Sequence, residues 1–396
     1  MSVVIVGASV AGVRTAQALR AGGYHGSLVL VGEERHQPYD RPPLSKGMLA
    51  ADASDELPAL LSPEQLESLE LRLLLGTRAT ALDPTRQVVL TNQGERLGFE
   101  ELVVATGLRP RSLPGPLPDG VYTLRTAADA SALREELERA SRVVVVGGGF
   151  IGAEFASAAH ARGTAVSIVE TQPVPMANVL GSKVGSILSR LHAEHGVEVH
   201  AGAAVAAVDE DQGRVSGVVL EDGRRLPADL VVVGIGCTPA TEWLESSGLP
   251  LENGVCCDAD LRIRGHRRLW AAGDVARFPH PLYGQDTRIE HWTNANEHGA
   301  LVAAGILGQS SPPLQVPYVW SDQYGSRIQI VGRPATGTLH SVHGDLGDPP
   351  LVAVYTSPTG TVVGGFVLDG TRPLMKLRKA IARRASADEL ELFPRP

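Results

Sequence analysis

The sequence predicts an α/β chain built on parallel sheets, closed by a smaller α+β region at its C-terminal end. Three observations predict it. Two glycine-rich strand-to-helix turns recur in one chain: Val3-Val4-Ile5-Val6-Gly7-Ala8-Ser9-Val10-Ala11-Gly12, answered by Glu33, and Val143-Val144-Val145-Val146-Gly147-Gly148-Gly149-Phe150-Ile151-Gly152, answered by Glu170. A Gly-Asp turn, Ala271-Ala272-Gly273-Asp274, follows both. Between these, short apolar strands alternate with longer helical stretches. One such glycine-rich turn binds one dinucleotide. Two of them imply two cofactors, most simply a tightly held FAD and an exchangeable nicotinamide nucleotide.

In chain order, 3–6 and 28–31 are expected strands around a helix at about 11–21. A Pro-rich stretch at 38–43 leads into a short helix. Residues 102–107 form a buried strand ending in a turn, and the Pro/Gly cluster at 110–120 is a crossover between domains. Residues 143–146 and 166–169 repeat the first pattern, and a strand at 229–235 returns the chain to the first domain. Gly273-Asp274 closes that domain, and a helical run covers 295–307. From about Pro317 the texture changes to strands at 327–331, 351–355 and 361–367, then a charged helix at 373–385. The expected division is an FAD-binding domain from 1–109 and 239–316, an NAD-binding domain at 110–238, and an α+β domain at 317–396.

The chain has 396 residues, enough for two or three domains, and is 43% hydrophobic. No apolar run approaches the roughly 18 residues of a membrane helix. The first strand begins within two residues of Met1, which leaves no room for a signal peptide and gives the expectation of a cytoplasmic protein. A net charge of -8 argues against general nucleic-acid binding. Cys237, Cys256 and Cys257 are odd in number and two are adjacent, so neither a disulfide framework nor a metal-ligand spacing is expected.

Each motif has a physical reading. Gly7 permits the tight turn and Gly12 the close packing of helix on strand, so that helix N–H groups face a pyrophosphate. Ser9 replaces the middle glycine, and its small side chain still admits the phosphate. Glu33 ends the next strand, where a carboxylate can accept both ribose hydroxyls. The second copy is complete in Gly147, Gly149 and Gly152, with Ile151 inside the frame. Glu170 follows 23 residues after Gly147, the spacing of a ribose-binding acid. A carboxylate there repels a 2′-phosphate, and no arginine follows it before Arg190, which favours NADH over NADPH. Asp274 could bind a ribityl hydroxyl; taken alone it reads as a turn aspartate. Trp292 precedes a helix whose N-terminus would stabilise negative charge on a reduced ring, and by itself reads as ordinary core. Lys46, after the Pro42-Pro43 pair, reads alone as a solvated lysine, and Glu154 as a dipole-favoured surface acid.

Together these segments resemble the FAD-dependent, NADH-using ferredoxin reductases of the putidaredoxin reductase and biphenyl dioxygenase reductase type, with the apoptosis-inducing-factor group more distant. The likeness covers nearly the whole chain and is most specific at 38–46, 124–126, 147–154, 234–239, 271–275, 290–299 and 320–324. It implies a glutathione-reductase-like flavoprotein fold. It implies FAD contacts from Ala11, Glu33, Arg41, Lys46, Ala79, Arg125, Asp274 and Trp292. It pairs Lys46 with Glu154 beside flavin N5 and puts Trp320 near the flavin edge. Disulfide reductases of this fold carry a redox cysteine pair in the first domain, and related peroxidases and oxidases a single cysteine. Residues 1–236 here contain none, so electrons are expected to leave from the flavin itself.

The expected activity is electron transfer from NADH through FAD, singly, to a 2Fe–2S ferredoxin that serves a cytochrome P450 or Rieske-type oxygenase. Rivals are an NADH oxidase, a rubredoxin or nitrite-reductase partner, and, from another class, a redox-sensing NADH-binding interaction protein. The C-terminal helix offers Lys376, Lys379 and Arg383 at i, i+3 and i+7, with Leu374, Leu377 and Ile381 on another face. That basic face reads either as a solvated surface or as a dock for an acidic ferredoxin.

Overall fold

A computed structural model describes residues 2–393. By packing, the chain divides into two compact units. The first holds the chain up to Asp40, with Leu57–Arg109 and Thr238–Pro317; the second holds Arg41–Glu56, Pro110–Cys237 and the chain from Tyr318 onward.

The first unit is organised by a parallel sheet in the order Leu269–Ala271, Glu101–Val104, Ser2–Val6, Ser27–Val31, Leu71–Leu74. Its central strand, Ser2–Val6, is almost wholly apolar because both faces are covered, and Val3, Val4 and Ile5 are fully buried. The helix Val10–Ala21 leaves this strand, and a second helix, Trp292–Leu307, packs on it. Their approach is close: a Cβ at Gly299 would stand 2.6 Å from Arg14 Cβ.

The second unit repeats the plan. Its parallel sheet runs Glu198–Ala201, Ala165–Glu170, Arg142–Val146, Leu230–Val233, Val121–Thr123. In both sheets the strand feeding the glycine-rich turn is central, so the duplicated motif occupies the same topological place twice. The second unit also contains an antiparallel five-stranded sheet in the order Tyr318–Gln323, Ser326–Gly332, Val362–Leu368, Asp348–Thr356, Thr338–Asp345. The helix Thr371–Arg383 lies on it through Leu374, Leu377 and Ile381, the apolar face expected from the spacing.

By packing, the stretch from Tyr318 onward groups with Pro110–Cys237, and one further segment joins them. Residues Arg41–Glu56 pack with the second unit. The causes are specific. Arg134 donates to Ala53 O at 3.2 Å and pairs with Asp55, and Arg162 donates to Leu49 O at 3.1 Å. The Pro-Pro pair opens a short 3-10 turn, Pro42–Ser45, that delivers Lys46 into this setting.

Candidate functional site

The first glycine-rich turn is sterically committed. Gly7 has φ +124°, and a Cβ there would lie 2.0 Å from Ala105 O; one at Gly12 would lie 1.9 Å from Gly7 O. Ser9 is the N-cap of Val10–Ala21, in extended backbone, but its hydroxyl makes no capping bond. The first N–H groups of the helix therefore keep their donor capacity, which suits a pyrophosphate. The structure brings Glu33 and Ala79 to one neighbourhood. Glu33 is half exposed and pairs with Arg109 at 3.2 Å and with Arg78 at 4.0 Å, and Ala79 follows Arg78 as the buried first residue of Ala79–Asp83. Asp274 lies in the 3-10 turn Gly273–Val275, whose Asp274 carbonyl accepts from Arg288 at 3.2 Å. Trp292 opens its helix and is not simple core: its indole N–H donates to Asp40 Oδ1 at 2.7 Å.

In the second unit, Arg41 donates to the carbonyl of Arg125 at 2.5 Å, and Arg125 N donates to Asp129 Oδ2 at 2.9 Å. The two expected FAD-contacting arginines are thus adjacent. The second glycine-rich turn repeats the constraints of the first: a Cβ at Gly147 or Gly152 would stand 2.4 Å from Gly234 O and 2.1 Å from Gly147 O. At Gly149, the N-cap of Phe150–Ala161, a Cβ would meet nothing within 4 Å, so the cradle is open where a phosphate would lie. Ile151 stands beside it, 43% exposed, a large apolar side chain left at the surface. Glu170, nearly buried, ends its strand. One oxygen accepts from Gly148 N at 2.8 Å and the other from Gln172 N at 2.7 Å. The acid is aimed at the turn, and its remaining lone pairs can accept ribose hydroxyls.

Glu154 lies one turn into the helix Phe150–Ala161 and is buried, with its side chain 3% exposed. Lys46 Nζ stands 2.7 Å from its Oε2 and also donates to Pro42 O at 3.1 Å. Ser45 donates to Oε2 at 2.5 Å, and Ser321 to Oε1 at 2.7 Å. Gln323 donates to Ser321 Oγ at 3.0 Å, which orients that hydroxyl toward the carboxylate. Glu154 is surrounded by donors, and both of its oxygens act as acceptors. Neither solitary reading survives: Lys46 is not a free surface lysine and Glu154 not a surface acid. Trp320 sits in the same strand as Ser321. Alternation along Tyr318–Gln323 puts Ser321 and Gln323 on the buried side and Trp320 on the other, where it stacks on Tyr318 at 6.0 Å.

Sequence reasoning missed Ser45, Ser321, Gln323 and Asp129. Serines and glutamines carry no spacing signal; only the turn that delivers Lys46 and the strand that carries Trp320 hint at them. Among the described residues there is no group of three or more His, Cys, Asp or Glu able to hold a metal, and no helix long and apolar enough to cross a membrane. None of the three cysteines is in a disulfide among the described residues, and burial pushes the Cys257 thiol well above its ordinary value. On the C-terminal helix, Lys379 and Arg383 are exposed, whereas Lys376 is half-buried and donates to the carbonyls of Glu391, at 2.5 Å, and Leu392, at 3.2 Å. The expected basic face thus loses one member to the chain end.

Comparison with known proteins agrees with this geometry. Residues 1–299 match the pyridine nucleotide-disulphide oxidoreductase family, and residues 318–394 match the reductase C-terminal family. The chain is 37% identical to the ferredoxin–NAD(+) reductase component of the anthranilate 1,2-dioxygenase system of Burkholderia cepacia, over 98% of this chain and 96% of the relative. It is 37% identical to putidaredoxin reductase of Pseudomonas putida, over 89% and 85%. The crystal structure of the covalent putidaredoxin reductase–putidaredoxin complex superposes with a TM-score of 0.92 at 34% identity, covering 97% of this chain and 93% of that one. With nearly its whole length matched, the chain belongs to the pyridine nucleotide-disulphide oxidoreductases, in the branch of ferredoxin–NAD(+) reductases that carry the reductase C-terminal domain.

Proposed function

We propose that this chain is an NADH-dependent ferredoxin reductase that holds FAD, works in the cytoplasm, and supplies electrons to a 2Fe–2S ferredoxin of a cytochrome P450 or Rieske-type oxygenase system. The observation that carries this reading is the ion pair between Lys46 and the buried Glu154 of the helix that opens at Gly149. When bound, FAD supplies acceptance of a hydride from NADH and release of electrons one at a time.

The chain's own residues do the rest. The Gly7–Gly12 turn and Ser9 hold the FAD pyrophosphate, Glu33 its ribose and Asp274 its ribityl chain. Ala11, Ala79, Arg41, Arg125 and Trp292 line it, and Trp320 guards the flavin edge. Gly147, Gly149, Ile151 and Gly152 receive NADH, with Glu170 on the adenosine ribose. Lys46, held by the Pro42 carbonyl and by Glu154, which Ser45 and Ser321 orient in turn, positions the nicotinamide and keeps a cation beside it. No cysteine precedes Cys237, so the N-terminal part of the first domain, 1–109, carries no thiol relay.

The test is direct. The purified protein should be yellow with one FAD per chain, and NADH should reduce it. Steady-state assays with a 2Fe–2S ferredoxin, rubredoxin and oxygen should show the ferredoxin as the preferred acceptor. A folded, colourless protein that FAD cannot reconstitute would overturn the reading. Slow turnover with every acceptor would replace it with a redox-sensing role.

A further inference from the structure

In the first unit His298 is fully buried on the helix Trp292–Leu307. Its Nδ1 accepts from the backbone N–H of Gly273 at 3.2 Å. The imidazole must therefore be neutral with its proton on Nε2, since an acceptor nitrogen carries no hydrogen. That Nε2 has no hydrogen-bond partner among the described residues, and the ring packs edge-on to Phe278 at 4.8 Å. A fully buried N–H left without a partner costs free energy, so ordinary core packing is not what the site optimises.

The place of the bond matters. Gly273 precedes Asp274, and a Cβ on Gly273 would stand 2.9 Å from Ala11 Cβ and 3.5 Å from Ala295 Cβ. The Gly-Asp turn is therefore wedged between the helix of the first glycine-rich turn and the helix that carries His298. One residue beyond His298, Gly299 lies where those helices pack closely, a Cβ there standing 2.6 Å from Arg14 Cβ. Arg288 holds the turn from its other side through the Asp274 carbonyl.

We propose that His298 is a positioning residue for FAD: through its bond to Gly273 it fixes Asp274 relative to the Gly7–Gly12 turn, and so sets the spacing between the two ends of one cofactor's binding site. This rests on the reading of Asp274 and the first turn as FAD-binding.

The test uses holoenzyme and measures FAD release on dilution by the fluorescence of free flavin, with thermal unfolding recorded in parallel. His298→Leu removes the acceptor and should weaken FAD binding about tenfold or more, the consequence of leaving one buried N–H unpaired. His298→Asn puts an amide oxygen close to the position of Nδ1 and should return affinity to within about threefold of wild type. If the leucine variant does not fold, His298→Met, nearer the imidazole in length, takes its place with the same expectation. A purely structural role would lower the unfolding temperature without separating the variants by FAD affinity; that result, or equal affinity in leucine and asparagine variants, overturns the proposal. Wild-type protein that binds no FAD at all would instead overturn the functional reading on which it rests.

Discussion

Glu154→Gln tests the centre of the site. The carboxylate accepts from Lys46, Ser45 and Ser321, and a carboxamide of the same shape presents two N–H donors in place of one acceptor oxygen. At least one of the three donors then faces another donor. Breaking a fully buried ion pair costs about 3–5 kcal/mol, mostly because a charge is left buried and unpaired. Here Lys46 is 21% exposed and keeps the Pro42 carbonyl, so its ammonium can turn to water. A loss of about 2 kcal/mol is therefore expected, below the fully buried range and above a surface pair. In a unit of this size that lowers the unfolding temperature by roughly 4–8 °C. The functional effect is separate. With its anchor gone, Lys46 no longer holds one position, and stopped-flow reduction of the bound flavin by NADH should slow about tenfold or more. FAD content should stay near one per chain, because the first glycine-rich turn and Asp274 belong to the other packing unit. A variant that unfolds several degrees lower yet reduces its flavin at the wild-type rate would refute the coupling of Lys46 to the nicotinamide.

Three further outcomes follow from the same geometry. Glu170→Gln should erode the preference for NADH over NADPH in stopped-flow reduction and also cost about 1–2 kcal/mol in stability, because the carboxylate accepts from both Gly148 N and Gln172 N; an unchanged preference would remove its role at the ribose. Lys379→Ala with Arg383→Ala should weaken the apparent affinity for an acidic ferredoxin at low salt, with the difference fading at high salt, whereas Lys376→Ala should loosen the chain end instead; matching salt profiles for the double variant and wild type would put docking elsewhere. Burial, with His195 nearby, holds His192 down to about 4, and burial holds His291 down to about 4. Above the ordinary value of 6.5 both are neutral folded or unfolded; as pH falls below it the unfolded chain takes protons that the folded chain refuses, so stability drops between 6.5 and about 4, by roughly 3 kcal/mol for each group when complete. Thermal unfolding from pH 7.5 to 4.5 reads this, and His192→Gln should flatten the slope.

Much of this was legible because the physics is local. A strand that is apolar throughout, a glycine whose Cβ would strike a carbonyl, and a helix opening at the turn all lie within a dozen residues, and both copies could be read from 3–12 and 143–152. The carboxylate of Glu170 could be placed because the crossover between parallel strands has a nearly fixed length. What could not be read were contacts closed over long separations. Ser45 reaches Glu154 across 109 residues and Ser321 reaches it across 167, and hydroxyls leave no periodic trace. The edge strands Tyr318–Gln323 and Thr338–Asp345 were missed because polar residues interrupt them, while the more apolar Val362–Leu368 was seen. Lys376 lay on the expected basic face, yet its partners are backbone carbonyls, which no side-chain pattern reveals.

The stretch Arg41–Glu56 gives the chain a property that matters for anyone who would recombine it. Lys46 is inherited with the N-terminal third of the gene, but the side chains that hold its stretch, Arg134, Glu154 and Arg162, arrive from the next third. A chimaera that exchanged only residues 110–237 with a relative would keep one nucleotide fingerprint, import the other whole, and still present Lys46 to foreign neighbours. The natural unit of exchange is therefore discontinuous: a short insert near the start of the chain travels with the middle and with the stretch from Tyr318, whose Ser321 also holds Glu154.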